Sequence, residues 1–543
     1  MKKRIRLLAI KEWWPHVTAV LLQREHLVMI ILGGIVGALG GYGAIGFRKL
    51  IAAVSLIGWG TFTRMNGQEM LTMAQSSPLW VKIFIPTAGG LIVGSIVYFF
   101  SKEAKGHGVP EVMEAVALKD GLMRTRVVFA KAVATAFCIG SGGSTGREGP
   151  IIQIGSGMGS AVGRIMNFSG ARLRTLVACG AAAGMAATFN APMGGILFAL
   201  EVILSEFAAS QFIPIVVSSV IATALSRHYL GNFPAFTVPP YDLVHYSELF
   251  LYFILGILAG GVAYIFIRAL YGTEDLFDHW KFPNFLKPAI GGAIIGCIGL
   301  FFPEIFGIGY ETVGKVLHGE MLGTILIGLL FVKILATSVT LGSGGSGGVF
   351  APSLFMGAVL GGLFGHFAQA FFPHAIASPG AYALVGMGAV VAGTTRAPIA
   401  AMLIIFEMTG NYLIILPLMF ACTMGLVVSA LLSRESIYTF NLVRKGIKIH
   451  GGKELNVLKS LTVSQVMRPE IEIVSPSVPL AELVTRMMVS PHAHLFVVSG
   501  NNRVQGYISM EALRPIIKDY ETVCNVCIAS DLMDRKVAVV TLA

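Results

Sequence analysis

A glycine-rich stretch, GSGGSTGREGP, holds the residues best suited to chemistry, and it runs from Gly140 to Pro150. It offers serine and threonine hydroxyls, backbone amides that glycine leaves unshielded, and a cation next to a carboxylate, Arg147 and Glu148. Such residues are typical of a loop that cradles a phosphate, of an activated serine, and of an anion site built from amides at a helix start. The surrounding sequence separates these three possibilities.

The first two possibilities fit the sequence poorly. A phosphate-binding P-loop has the pattern G-x-x-x-x-G-K-[ST] after a strand. Here Gly146 is followed by arginine and glutamate, and the preceding segment is apolar like a membrane helix. An activated serine needs a base within hydrogen-bonding reach, and no histidine lies near the stretch in sequence. We therefore predict that the protein is not an enzyme.

A second copy of the stretch occurs later in the chain. KAVATAFCIGSGGSTGREGP, from Lys131, aligns without gaps with KILATSVTLGSGGSGGVFAP, from Lys333. The similarity extends in both directions, with these further pairs: Ala191-Pro192 with Ala397-Pro398, Glu201 with Glu407, and GHGVPEVMEAV from Gly106 with GIGYETVGKVL from Gly307. The sequence therefore contains two related halves, at about 26–230 and 247–440.

The elements that carry these loops are membrane helices. Of the 543 residues, 55% are hydrophobic and only 13% are charged, and repeated windows are as long as a bilayer-spanning helix of about 20 residues. Glycine and proline interrupt several windows, which lipid tolerates only where the broken backbone is buried in protein or lines a cavity. Duplicated halves with broken helices are typical of transporters that bind their substrate near the membrane midplane.

Each glycine-rich loop leads into an apolar helix, so the first backbone amides of that helix lack intrahelical partners. Glycine lets a ligand approach the backbone closely, and the helix dipole favours negative charge at this end. An anion held only by such partial charges can leave again, as conduction requires. The alternative is that the glycines merely allow close helix packing, but the duplication favours an anion site.

The basic residues indicate how the chain is oriented. The net charge is +11, and the basic runs flank the apolar block, with MKKRIR at the start and RKGIK from Arg444. Basic flanks are typical of cytoplasmic anchors, so we predict cytoplasmic termini, an inner (plasma) membrane location and no nucleic-acid partner. Residues 1–25 lack a signal-peptide pattern and are expected to form a cytoplasmic or interfacial segment.

Five motifs of the membrane block occur in a recognisable order. They are GHGVPEVMEAVAL at Gly106, GSGGSTGREGP at Gly140, FNAPMGGILFALEV at Phe189, GSGGSGGVFAPSLFMGAVLG at Gly342 and SIYTFNLVRKG at Ser436. This set resembles the CLC family of chloride channels and chloride/proton exchangers. The resemblance implies an all-α polytopic domain over residues 26–449, built as two inverted-topology repeats of broken and tilted helices. It also implies a homodimer with one pore per subunit and no cofactor.

The resemblance implies roles for individual residues. Glu148 is expected to be the external gating glutamate, whose carboxylate occupies an anion position and moves aside when it is protonated. The Tyr438 hydroxyl is expected to contact the anion at the inner end. The other expected anion-site residues are His107, Gly146, Arg147, Gly149, Val349, Phe350 and Ala351. The alternatives are that Glu148 only caps its helix and that Tyr438 lies at the membrane interface.

His107 departs from the family pattern. Chloride-selective members have serine between these glycines, and nitrate-preferring members have proline. A neutral imidazole still offers one N–H donor to an anion, whereas a side chain that turns aside would leave the backbone to serve the pore. The preference for chloride over other small anions therefore stays open.

A second departure concerns protons. Many exchangers of the family carry two consecutive glutamates here, the second of which accepts protons from inside, but Glu201 is followed by Val202. Valine cannot carry a proton, so the sequence favours a passive channel, with proton-coupled exchange as the alternative. Glu206, on the same helix, is a candidate replacement. A proton path would then involve Glu148, Glu201 and Glu206, although Glu201 is better explained as a structural carboxylate.

Residues 450–543 have a different, polar composition. From Val463, short β-rich runs alternate with one amphipathic helix pattern, and this segment resembles a CBS motif. ASDLMDRKVAVV, from Ala529, repeats the opening of the motif, so we expect one complete motif and one truncated copy in a small α/β cytoplasmic tail. Paired CBS motifs can bind adenine nucleotides, but packing and assembly is the favoured role. Cys524 and Cys527 form a lone C-x-x-C, too weak a pattern to predict a metal site.

These observations predict anion conduction across the membrane, gated by Glu148, with chloride or a similar anion as the ligand. The expected partners are that anion, protons in the exchanger alternative, membrane lipid and a second copy of the chain. A third possibility is a CBS-based sensor that uses the membrane block as an anchor. The two intact anion loops argue against it.

Overall fold

The computed structural model describes residues 25–61, 70–232, 236, 238–239, 241, 244–321, 323–373, 376–447, 449–450, 453–454, 464, 467, 470–501, 503–517 and 520–537. The chain divides into two compact units, Met1–Glu454 and Leu455–Ala543. The interfacial segment predicted at the N-terminus lies outside the described residues, apart from its last residue.

The first half of the membrane unit is a succession of helices. They are α1 (Glu25–Ser55), which continues as a π-helical turn over Leu56–Gly60, α2 (Met70–Ser76), α3 (Leu79–Phe99), α4 (Val109–Leu118), α5 (Thr125–Gly140), α6 (Glu148–Ile165), α7 (Gly170–Phe189), α8 (Pro192–Phe198), which continues as a π-helical turn over Ala199–Leu204, and α9 (Ala209–Leu230). Short 3₁₀ turns occur at Lys102–Ala104 and Tyr246–Glu248.

The second half repeats this order. Its helices are α10 (Leu249–His279), α11 (Lys287–Gly299), α12 (Tyr310–Leu317), α13 (Gly323–Gly342), α14 (Phe350–Phe371), α15 (Pro379–Thr395), α16 (Pro398–Thr409), α17 (Ile415–Leu432) and α18 (Thr439–Arg444), with a 3₁₀ turn at Pro303–Ile305. A short hairpin with two residues in each strand follows, in which β1 (Ile449–His450) pairs antiparallel with β2 (Lys453–Glu454).

Equivalent helices of the two halves pack in equivalent ways. Helix α6 lies along α7 as α14 lies along α15, and α1 lies along α9 as α10 lies along α17. The first contact depends on glycine, because a Cβ on Gly180 would lie 2.0 Å from the carbonyl oxygen of Gly155. Helices α7 and α15 also end alike, in left-handed residues Asn190 and Arg396. The structure confirms the predicted all-α membrane domain of two inverted repeats.

Seven helices in the described part of the chain are long and apolar enough to cross a membrane. Shorter apolar helices cover Pro192–Leu204, Lys287–Gly299 and Pro398–Thr409. The predicted breaks are present, since α5 ends at Gly140 before α6 begins at Glu148, and α13 ends at Gly342 before α14 begins at Phe350. Ser144, Thr145 and Ser346 in these breaks are fully buried. Irregular backbone at membrane depth therefore lies within protein, as lipid demands.

The tail unit is a small α/β structure. A three-stranded sheet has the order β3 (Ile473–Val474), β4 (His494–Val498) and β5 (Val504–Ser509), with β3 parallel to β4 and β4 antiparallel to β5. The helices are α19 (Leu480–Val489), α20 (Met510–Ile517), α21 (Tyr520–Val523) and α22 (Ala529–Leu532). Leu480, Leu495 and Ile508 are fully buried in its core. Asp534, just after α22, exchanges backbone hydrogen bonds with Tyr507 of β5, so the repeated opening packs on the first motif.

Candidate anion site

The two glycine-rich loops meet in the middle of the membrane unit. Gly146 and Gly348 exchange backbone hydrogen bonds, with N···O distances of 2.8 and 2.6 Å. The Thr145 hydroxyl donates to the Gly348 carbonyl at 2.8 Å. A third motif joins them, since the Gly106 amide donates to Gly345 and the Gly106 carbonyl accepts from Gly347. Three motifs that are far apart in sequence therefore form one connected backbone network.

Glycine is required where these loops touch. A Cβ on Gly149 would lie 2.1 Å from the carbonyl oxygen of His107, and a Cβ on Gly348 would lie 2.8 Å from the amide nitrogen of Gly149. Real Cβ atoms do not approach backbone atoms so closely, so any side chain here would push the loops apart. The start of α6 and the start of α14 consequently lie side by side, with their unpaired amides close together.

Glu148 lies between these two helix starts. It is the first residue of α6 and is completely buried. One carboxylate oxygen, Oε1, accepts a hydrogen bond of 2.7 Å from the Tyr310 hydroxyl. The other, Oε2, lies beside the start of α14, since a Cβ on Gly146 would be 2.3 Å from Oε2 and 3.2 Å from the Ala351 amide nitrogen. The carboxylate thus occupies a position where backbone amides could hold an anion.

Arg147 adds positive charge beside the carboxylate. Its guanidinium lies over the ring of Tyr310, 5.6 Å from the centroid, so Arg147 and Glu148 both contact the same tyrosine. Tyr310 begins α12, in the motif that starts at Gly307. The sequence aligns that motif with the one at Gly106 but does not single out the tyrosine, because its partner lies 162 residues away.

Tyr438 lies near the other end of the predicted anion path. It is 1% exposed and directly precedes α18, in a turn where the Ser436 hydroxyl accepts from the Tyr438 and Thr439 amides. Its ring is 6.4 Å from Phe198, which is in turn 6.3 Å from Phe350 at the start of α14. The buried rings of Tyr438, Phe198 and Phe350 therefore lie in a row. This row connects Tyr438 to the end of the second glycine-rich loop, where α14 begins.

His107 lies close to Tyr438, with 6.1 Å between the ring centroids. Its Nε2 atom is 3.2 Å from the Tyr271 hydroxyl, which donates to the Ile437 carbonyl at 2.5 Å. A phenol has one hydrogen, so His107 must donate from Nε2 to the tyrosine oxygen. The imidazole N–H that could serve an anion is therefore already engaged, and the His107 carbonyl faces Gly149.

A polar cavity of about 210 Å³ opens beside His107. Acidic and basic side chains line it together, namely Lys102, Lys105, Glu111, Glu274 and Lys445. Lys105 forms an ion pair of 3.4 Å with Glu274, and Lys445 one of 3.7 Å with Glu111. This cavity gives the His107 end of the site a polar approach lined by charged side chains.

Glu201 lies at the start of α16, a helix of the second half. Its carboxylate accepts hydrogen bonds from the amides of Ala400 (2.8 Å) and Ile399 (3.4 Å), in the first turn of α16. Glu407 does the same for α8, with bonds of 2.7 Å from Gly194 and 3.0 Å from Met193. A carboxylate that pairs with free amides at a helix N-terminus stabilises that end. The geometry agrees with the structural role expected for Glu201.

The prediction that Glu206 lies on the same helix as Glu201 is wrong. The π-helical turn ends at Leu204, and Ser205 adopts a left-handed conformation with φ of 51°. Glu206 therefore lies beyond the helical turn, with an exposed side chain. Val202, in contrast, is buried. The structure therefore places Glu206 outside the helical segment that carries Glu201.

Two buried lysines hold the motif loops in place. The Lys131 ammonium donates to the carbonyls of Ala104 (3.1 Å) and Gly106 (2.6 Å), and Lys333 donates to those of Ile305 (3.1 Å) and Gly307 (3.4 Å). The repeat alignment pairs these lysines, yet it gave no reason to expect that each one holds the loop that precedes a short helix. The pairing of two lysines within apolar helices of both halves was the signal in the sequence that each one meets buried carbonyls.

Comparison with known proteins places this geometry in a family. Residues 89–430 match the family described as voltage gated chloride channel, and residues 463–519 match the CBS domain. The chain is 35% identical over 420 residues to a ClcB-like chloride channel protein of Ralstonia nicotianae, covering 77% of this chain and 97% of that protein. It is 32% identical over 438 residues to the H(+)/Cl(-) exchange transporter ClcA of Salmonella paratyphi B, covering 78% and 90%.

A solved structure shows the same fold. It is the X-ray crystal structure of a slow cyanobacterial Cl-/H+ antiporter, similar to this chain with a TM-score of 0.70 and 28% identity, over 77% of this chain and 97% of the other. Sequence and structure comparisons thus identify the same membrane architecture.

Proposed function

This chain belongs to the CLC family of voltage gated chloride channels and exchangers, and on that premise we propose that it exchanges chloride for protons across the membrane. The observation that carries the proposal is the position of Glu148, a buried carboxylate between the amide ends of α6 and α14. A carboxylate in an anion site binds a proton or gives way to an anion, and this competition is what couples the two ions.

The proposed exchange of chloride for protons replaces the passive conduction that the sequence favours. That preference rests on Val202, which cannot accept a proton from inside. Relatives that are named as H+/Cl- exchangers, together with the antiporter structure, support the alternative. In this proposal the proton route from the inner side does not use residue 202, and Glu201 does not carry protons because its oxygens bond to the Ala400 and Ile399 amides.

The proposed cycle uses this chain's own groups. When Glu148 is ionised, its carboxylate fills the space at the helix starts and excludes chloride, because both carry negative charge. When Glu148 is protonated, the starts of α6 and α14 lose the negative charge beside them, and chloride becomes the favoured occupant. Partial charges of amides hold the ion without trapping it, so it can pass on towards Tyr438.

The proposed setting is a homodimer in a cell inner (plasma) membrane, with one pore in each subunit and both termini in the cytoplasm. The seven apolar helices of the described residues support a multi-pass membrane position. The family membership supports the dimer.

Proton pumping in liposomes tests the proposal. The purified protein is reconstituted, a chloride gradient is imposed, and the internal pH is followed with a trapped dye. Exchange predicts that protons move against their own gradient while chloride runs down, and that Glu148→Ala removes proton movement while chloride flux continues. Chloride flux with no uphill proton movement in the wild-type protein would favour passive conduction, for which Val202 is the supporting observation.

A further inference from the structure

We propose that Tyr310 is a positioning residue that holds the Glu148 carboxylate in the anion site and thereby sets the pH at which the site opens. The inference rests on the proposed gating function of Glu148. Its basis is the hydrogen bond of 2.7 Å from the Tyr310 hydroxyl to Oε1 of Glu148. The contact joins the start of α12 to the start of α6, so a side chain of the second half contacts the gate of the first half.

Tyr310 is itself held firmly. Gly309, just before it, has a left-handed backbone with φ of 88°, and a Cβ there would lie 2.7 Å from the ring of Phe355. Lys333 fixes the preceding loop through the carbonyls of Ile305 and Gly307. After it, Glu311 accepts a hydrogen bond of 3.2 Å from the Leu71 amide. A phenol mounted in this way keeps its hydroxyl aimed at one place, so little ordering cost is left for the bond itself.

The hydrogen bond from Tyr310 differs in strength between the ionised and the protonated forms of Glu148. A hydroxyl donates more strongly to a carboxylate than to a neutral carboxylic acid, since the charge makes the acceptor stronger. Tyr310 therefore favours the ionised side chain in the anion site and opposes its release. Loss of the hydroxyl should let Glu148 take up a proton at higher pH, and chloride flux that depends on this proton should begin at higher pH.

Other charged and titratable groups act on the same carboxylate and stay in place when the hydroxyl is removed. Arg147 lies beside it, and Arg48 of α1 interacts with both Arg147 and Tyr310. Tyr438 is a further titratable group that interacts with it. Arg147 can still lie over a phenylalanine ring, so Tyr310→Phe removes one oxygen and little else.

The comparison of the two halves shows that only the second half has a hydroxyl at this position. The motif at Gly307 aligns with the motif at Gly106, and the position equivalent to Tyr310 is Val109, which is fully buried. Both residues begin the short helix after a glycine with a positive φ, 88° at Gly309 and 87° at Gly108. Fold formation at this position therefore does not require a phenol, which supports a role toward Glu148.

The test is the pH dependence of chloride efflux from liposomes that contain Tyr310→Phe. Hydrogen bonds to charged groups change equilibria by about ten- to a hundred-fold, so the midpoint of the pH profile should move upward by about one to two pH units. The matched control is Tyr382→Phe, which removes a similar bond of 2.8 Å to the buried Glu248 elsewhere in the protein. The control should leave the midpoint unchanged.

A double variant separates this inference from the proposed function. With Glu148→Gln in place, the further change Tyr310→Phe should have no effect on the pH profile, because the carboxylate that it acts on is gone. An unchanged midpoint in Tyr310→Phe alone, in protein that elutes as the wild type does on size exclusion, would overturn the role of Tyr310. A pH profile that survives Glu148→Gln would instead overturn the gating function itself.

Discussion

Substitution of Glu201 separates a structural carboxylate from a proton carrier. Glu201 and Glu407 each accept two amide bonds at the start of a helix from the other half. Glu201→Gln keeps an oxygen acceptor but removes the charge and the ability to transfer a proton. We expect this variant to pump protons as well as the wild-type protein does and to be slightly less stable.

The magnitude follows from the hydrogen bonds. In each pair the shorter bond, 2.8 Å for Glu201 and 2.7 Å for Glu407, comes from a buried residue, Ala400 or Gly194. Hydrogen bonds to a charged group contribute about 1.5–3 kcal/mol and those between neutral groups about 1 kcal/mol. Glu201→Ala should therefore lower the free energy of unfolding by about 2 kcal/mol, and Glu201→Gln by about 1 kcal/mol.

Thermal unfolding in detergent and proton pumping in liposomes are measured on the same preparations. Glu407→Gln and Glu407→Ala are the matched controls, since the contacts are equivalent. We expect the order of stability to be wild type, Gln variant, Ala variant at both positions, with similar steps. If Glu201→Gln stops proton transport while its Tm and the behaviour of Glu407→Gln stay normal, Glu201 lies on the proton path and the structural assignment is refuted.

Three further substitutions test the site. Gly348→Ala should reduce chloride flux more than ten-fold because its Cβ would lie 2.8 Å from the Gly149 amide nitrogen, whereas Gly314→Ala, with open space around it, should not. Lys333→Met should cost about 1–3 kcal/mol of stability in thermal unfolding, because two buried carbonyls lose their donor; unchanged Tm would contradict this. His107→Ser should raise the ratio of chloride to nitrate flux in anion-exchange assays, and Tyr271→Phe, which keeps the imidazole but frees its N–H, should alter the ratio less.

Local sequence signals predicted the parts of the site that depend on local structure. Glycine before an apolar helix indicated free amides, and the same pattern occurred twice, so the two helix starts were expected to meet. In the structure the two copies do meet, because Gly146 and Gly348 exchange two backbone hydrogen bonds. The matching of Glu201 with Glu407 in the alignment likewise corresponds to two reciprocal helix caps.

Contacts between distant segments could not be predicted in the same way. The bond from Tyr310 to Glu148 depends on how the second half folds over the first, and no periodicity within either motif encodes it. The sequence left open whether His107 donates to the pore or turns aside, and in the structure its N–H bonds to Tyr271 of α10. Glu206 was misplaced because Ser205 carries the left-handed turn that glycine or asparagine usually signals.

The position of a bound anion relative to Glu148 tests directly whether the carboxylate and the anion share one site. Crystals or cryo-EM samples of wild type and Glu148→Gln are prepared in bromide, and the halide is located from its anomalous signal or its density. We expect a halide within hydrogen-bonding distance of the Gly149 and Ala351 amides in Glu148→Gln, and the carboxylate in that same place in the wild-type protein. Helix starts that hold no ion in the variant, or a halide bound there beside an unmoved carboxylate in the wild type, would contradict it.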